Sequence, residues 1–179
     1  KDCNVCLSTE TPFYGLIKNG DALNNGYQDI TVKNINVHLE STCYLENNCG
    51  WVCYSYFGKG VSNILVENCG SYGKITRNGS GGICGSGCRV FVNNCYSSGI
   101  IGFNSGSICG GIFGQLSTGI ATNSYSSGLI KNNGVGIGGS GEHINCYIAN
   151  NVWSDSDASA VLVGTPTLDQ QVGNIWCNT

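Results

Sequence analysis

Carboxylates are missing from the middle of this chain. Between Asn68 and Ser140 the charged residues are Lys74, Arg77, Arg89 and Lys131, with no Asp or Glu among them. Hydrolysis of a glycosidic bond needs a pair of carboxylates, and elimination needs a basic residue beside acidic metal ligands, so this stretch offers neither. Charge is scarce throughout, at 11% of residues with a net of -3. That leaves no basic footprint for nucleic acid and no attraction to an anionic membrane. Apolar runs extend only a few residues, too short for a transmembrane helix, so membrane insertion is not expected. No stretch of a dozen residues combines helical periodicity with freedom from glycine. There is no methionine and no visible targeting segment, and the chain reads as a processed product or an excised domain.

What is present is a phrase written three times: Asn68-Cys69-Gly70-Ser71-Tyr72-Gly73, Asn94-Cys95-Tyr96-Ser97-Ser98-Gly99 and Asn123-Ser124-Tyr125-Ser126-Ser127-Gly128. Apolar alternation precedes each copy (Ile64-Leu65-Val66, Val90-Phe91-Val92, Ile120-Ala121-Thr122), and an isoleucine follows at 75, 101 and 130. Weaker copies lie around Asn34 and Asn145. A phrase that returns every few tens of residues marks stacked supersecondary units. Its spacing is irregular, and an α-helical repeat does not tolerate that, because a few extra residues rotate its apolar stripe off the core. Parallel β-coils do, since loops swell outward without disturbing the stack. Val, Ile, Thr and Tyr at period two, with 28 glycines for sharp corners, agree.

The expected architecture is all-β: a right-handed parallel β-helix of about five coils. It spans residues 27–152, between an irregular N-terminal cap (1–26) and a C-terminal cap (153–179) that shield the end strands. The apolar phase flips across each phrase asparagine, so the chain must bend there. Asn34, Asn68, Asn94, Asn123 and Asn145 are therefore read as a structural ladder, stacked and bonded side chain to side chain.

Twelve cysteines form the second signal. Cys69, Cys95 and Cys146 share one coil position, with Ser124 interrupting, and read as an inward ladder. Its coil spacing of ~4.8 Å is within disulfide range, but parallel Cβ vectors favour thiols packed as small apolar groups. Cysteines 3, 6, 43, 49, 53, 84, 88, 109 and 177 fall in irregular segments and read as the disulfide candidates. Cys3-x-x-Cys6 with Cys49-x-x-x-Cys53 leaves zinc, cap disulfides and unpaired thiols open. The zinc spacing is incomplete, and no metal or cofactor site is assigned.

Gly81-Gly-Ile-Cys-Gly85 and Gly110-Gly-Ile-Phe-Gly114, each followed some ten residues on by Asn-Cys-Tyr-Ser-Ser-Gly or Asn-Ser-Tyr-Ser-Ser-Gly, resemble the GLUG repeat over roughly residues 60–150. The resemblance implies surface proteins: bacterial adhesins, large secreted proteins and the Asn-rich versions encoded by giant DNA viruses. The segment from Trp153 through Pro166 to Trp176 resembles the C-terminal closure of such viral domains. GLUG repeats bring no catalytic residues with them.

The expected function is thus non-enzymatic: a structural or adhesive module on a virion surface, or secreted or held at a cell surface. Its expected partners are structural or surface proteins or host glycans, with homo-oligomers or larger assemblies open and nucleic acid excluded. Trp51, Tyr54, Tyr56 and Phe57 form the densest aromatic cluster, within the longest insertion between coils, and are the candidate binding residues; the alternative is that they pack as a local core. A polysaccharide lyase or hydrolase is the competing function. An ice-binding helix would need threonines in one register, which Thr31, Thr76, Thr118 and Thr122 do not form. Of the isolated histidines, His38 is expected outward. Ser97-Ser98 and Ser126-Ser127 read as turn serines without a catalytic partner. Asp155 and Asp157 form a solvated turn or a weak cation site, and Asn78-Gly-Ser80 is a glycosylation sequon or a turn.

Overall fold

The computed structural model describes residues 3–7, 12–39, 42–102, 108–131, 134–148, 165–166 and 171–172. Two parallel sheets carry the fold. The first stacks Thr31–Lys33, Leu65–Glu67, Phe91–Asn93, Ile120–Thr122, Glu142–Ile144 and Thr165–Pro166. The second stacks Cys3–Leu7, Ile35–Leu39, Gly70–Ser71, Tyr96–Ser97, Tyr125–Ser126, Tyr147–Ile148 and Gln171–Val172. Every strand pairs in parallel with its counterpart one coil away, and no helix occurs among the described residues. The protein is a parallel β-solenoid, as the repeat implied. First-sheet strands starting at residues 31, 65, 91, 120 and 142 bound four full turns, slightly fewer than the five expected.

Between the two sheets each coil turns at one asparagine. Asn34, Asn68, Asn94, Asn123 and Asn145 have φ between 49° and 59°, the left-handed region that asparagine tolerates best after glycine. Their amides stack: Asn68 donates to Asn34 (3.2 Å), Asn94 to Asn68 (2.7 Å) and Asn145 to Asn123 (2.6 Å). The remaining step differs, because Asn123 donates to the neighbouring Asn93 at 3.0 Å.

A second left-handed corner has no such signature. Tyr56, Gly87 and Leu116 stack there, since Tyr56 N–H donates to Ser86 and Gly87 N–H to Gln115, and their φ values are 59°, 68° and 61°. Glycine accepts this conformation freely, whereas tyrosine and leucine are strained in it.

The core is built from columns. Val32, Val66, Val92, Ala121 and His143 stack inside the first sheet. Val37, Ser71, Ser97, Ser126 and Ile148 stack inside the second. Ser71, Ser97 and Ser126 are fully buried, which corrects the reading of Ser97 and Ser126 as turn residues; only Ser98 and Ser127 face solvent. The lumen explains this choice. A Cβ added at Gly82 would lie 2.6 Å from the Ser97 hydroxyl, and one at Gly111 would lie 2.5 Å from that of Ser126. At that separation the space between facing strands holds one small side chain and not two.

The third side of each coil aligns Gly50, Gly81 and Gly110, and then Cys53, Cys84 and Phe113. The N-terminal residues assigned to an irregular cap join the stack: Cys3–Leu7 pairs with Ile35–Leu39, Pro12–Phe13 with Tyr44–Leu45, and Ile17 with Cys53. At the other end, 165–166 and 171–172 continue both sheets. The rest of the expected C-terminal cap, including Trp153, Asp155, Asp157, Trp176 and Cys177, lies outside the described residues.

The two corners give opposite expectations. Asn94→Leu removes ladder bonds and places a branched side chain at φ 50°, and should destabilise by about 1–3 kcal/mol. Leu116 is 71% exposed, so Leu116→Gly loses little packing. It relieves about 1–2 kcal/mol of strain against about 0.5–1 kcal/mol of added chain entropy, and should stabilise by about 0.5–1 kcal/mol. Urea midpoints at constant m value measure both, and a stabilised Asn94→Leu or a destabilised Leu116→Gly would contradict the corner assignment.

Candidate binding surface

The aromatic cluster proposed from sequence does not form a surface. Trp51 and Phe57 have no exposed area and belong to the core, and Trp51 stacks on Phe13 with centroids 5.6 Å apart. This corrects their assignment as binding residues. Gly50-Trp-Val-Cys53 is a coil strand in register with Gly81-Gly-Ile-Cys84, not an insertion, and its shared Gly-x-aliphatic-Cys spacing was the signal for that. Tyr54 and Tyr56 are half-buried. Their rings are covered by Lys18 and Lys59, at 5.7 and 5.6 Å from the ring centres.

The exposed aromatic surface lies instead on the outer face of the second sheet, where the tyrosines of the repeated phrase line up. His38 stacks on Tyr72 at 4.3 Å, Tyr72 meets Tyr96 edge to face at 5.4 Å, and Tyr96 stacks on Tyr125 at 5.4 Å. Gly70 makes room for this: a Cβ there would lie 2.3 Å from the Tyr96 ring, so the ring leans back across the glycine. The Tyr72 and Tyr96 hydroxyls are hydrogen-bonded, and the Tyr96 hydroxyl donates to Asn36 at 3.2 Å. Burial, then the contact with Tyr72, pushes the Tyr96 phenol well above its usual range, so it stays protonated as a donor. Because the rings stack on one another, the ledge presents ring edges, hydroxyls and amides. Such a surface offers hydrogen bonds to a polar partner more readily than a flat platform for stacking.

Most of the described cysteines are placed inside. Cys69, Cys95 and Cys146 are buried in one column, and the Cys69 N–H donates to the Cys95 sulfur at 3.3 Å. The Cys95 thiol is pushed up by its hydrogen bond to Cys69 and by burial. Cys49, Cys53, Cys84, Cys88 and Cys109, read from sequence as disulfide candidates in irregular segments, are also buried, and among the described residues no disulfide is formed. They occupy column positions such as Cys53 over Cys84, where parallel strands aim both Cβ atoms the same way. Burial raises the Cys53, Cys84 and Cys88 thiols, and raises Cys49 and Cys109 to about 11 each. Cys3 and Cys6 are exposed on the first strand, whereas Cys49 and Cys53 on the next coil are buried. Among the described residues no group of three or more metal-ligating side chains converges.

His38 is half-buried on the ledge, whereas His143 is 1% exposed and ends the valine column. Burial lowers its pKa, partly offset by the Gly138 backbone. At the sequon, Asn78 is exposed, while Ser80 is buried and its hydroxyl donates to the Glu46 carbonyl at 3.1 Å.

No family model matches this chain, and no curated protein or solved structure is significantly similar to it. The resemblance to GLUG repeats therefore rests on the quoted residues.

Two measurements check this interior. Alkylation without denaturant should modify Cys3 and Cys6 and spare Cys53, Cys69, Cys84, Cys88 and Cys95 until the chain is unfolded. For His143, a folded pKa below the unfolded value means that the unfolded chain binds the extra proton. Stability should therefore be complete above pH ~6.5 and decline below it, by at most about 1.4 kcal/mol per pH unit. His143→Val, which fits the valine column, should remove that part of the decline in melting curves taken from pH 7 to pH 5.

Proposed function

We propose that this chain is a non-enzymatic structural or adhesive surface module, on a virion or secreted or held at a cell surface, that works through protein or glycan contacts. The observation that carries the reading is the aromatic ledge of His38, Tyr72, Tyr96 and Tyr125, held on a rigid sheet face. Tyrosine supplies contact area and hydrogen-bonding capacity at small entropic cost, and a solenoid fixes that area in advance of binding. The GLUG-like phrases support the same class, since each phrase contributes its tyrosine to the ledge. The lack of any carboxylate from Asn68 to Ser140 counts against acid–base chemistry on the coils that bear the ledge.

The test pairs a polysaccharide-cleavage screen with binding to an array of neutral glycans by the native chain and by Tyr72→Ser/Tyr125→Ser. Both tyrosines are 42% exposed, so the variant should fold with only a modest loss of stability. Binding that drops at least tenfold in the folded variant, with no glycan turned over, is the expected result. Turnover of any glycan would overturn the non-enzymatic reading, and unchanged binding by the variant would remove the ledge as its site.

A further inference from the structure

A second face of the solenoid has a different character. Ile75, Ile101 and Ile130 stack from coil to coil, which places Lys74, Ile100 and Leu129 in the column before them and Thr76, Gly102 and Lys131 in the column after. Lys74, Thr76, Ile100, Gly102 and Lys131 line one open groove of about 290 Å³. Its two lysines are exposed and stand two coils apart, about 10 Å along the axis. Arg77 is exposed in the same turn as Lys74.

Among the described residues none of these cations forms an ion pair. All 11 carboxylates of the chain lie outside residues 68–140, and the ion pair formed among the described residues joins Lys18 to Asp21. Glu46 lies on the preceding coil. Its carboxylate accepts from the Asn47 N–H at 2.9 Å, and Arg77 rests over the Tyr44 ring at 4.9 Å. Like charges held on a rigid scaffold without counter-charge create a local positive potential, which attracts anions even though the whole chain is acidic.

From this groove we infer a binding site for a linear acidic polysaccharide, its sugar rings lying over Ile100 and Gly102 and its carboxylate or sulfate groups meeting Lys74 and Lys131. The floor decides the class. A lone inorganic anion has no use for an apolar floor, whereas the C–H face of a sugar ring does. Single-stranded nucleic acid needs exposed aromatic faces for its bases. Among the described residues that line the groove there is none, and the Tyr44 face is already covered by Arg77. A duplex is wider than a strip that spans three coils. The inference deepens the proposed function by naming a ligand class, but it uses residues separate from the tyrosine ledge, so the two readings fail independently.

The experiment measures binding of the purified chain to polygalacturonate, dextran sulfate, neutral dextran and poly-dT across ionic strength. Expected is binding to one or both acidic polysaccharides that weakens as salt rises, with the two arms separating carboxylate from sulfate recognition. Lys74→Gln/Lys131→Gln should weaken it roughly tenfold, while Lys33→Gln, on another face, should leave it unchanged. Lys131→Glu should weaken it more than Lys131→Gln, which preserves the test if the double variant misfolds. No binding to either polyanion at low salt would overturn the inference. So would equal binding to neutral dextran, tighter binding to poly-dT, or indifference to the lysine variants.

Discussion

Parallel hydrogen bonds between coils fix a spacing of about 4.8 Å, and that spacing makes the equivalent residue one coil away each side chain's nearest neighbour. Every position must then be filled by a residue that tolerates its own kind, or a near equivalent, at van der Waals distance. Asparagine meets this at the corner, because its amide donates to one neighbour and accepts from the other while its backbone takes a left-handed turn. Valine meets it inside the first sheet, isoleucine meets it in the column of Ile75, Ile101 and Ile130, and tyrosine meets it outside the second sheet, where rings stack. Charged residues cannot repeat in this way without repulsion, which agrees with their scarcity on the central coils.

The same geometry accounts for the cysteines. Where serine opposes glycine the lumen between facing strands is narrow and selects small side chains, while Trp51, Phe57 and Phe113 fill wider parts of the interior. A buried thiol is small, apolar and satisfied by a weak hydrogen bond to a carbonyl, such as Cys95 with the Val66 oxygen at 3.6 Å. The buried cysteines are thus a packing solution, and the burial that raises the Cys53, Cys84 and Cys88 thiols also makes them poor nucleophiles.

Function is left to the outer faces, which differ sharply although they belong to the same coils. The tyrosine ledge is saturated with its own ring contacts, while the groove beside Ile100 is cationic. A solenoid presents such faces in parallel lines along one axis, so an extended partner can follow either line without the scaffold changing shape.

Much of this was legible in the residues. The phrase asparagines carried the corner, because the apolar phase flips at each of them, and the Asn-Cys step placed cysteine inward at 69, 95 and 146. The sequence by itself determined the solenoid, its irregular coil lengths and the lack of acid–base pairs on the central coils, since all three depend on local alternation and composition. Only the tertiary structure decided where Trp51 and Phe57 point, that Ser97 and Ser126 are interior, and that Tyr56 and Leu116 stand at a second left-handed corner. Each of those depends on which residue lies across the lumen or one coil away, and contacts at separations that vary from coil to coil leave no periodic mark in the chain.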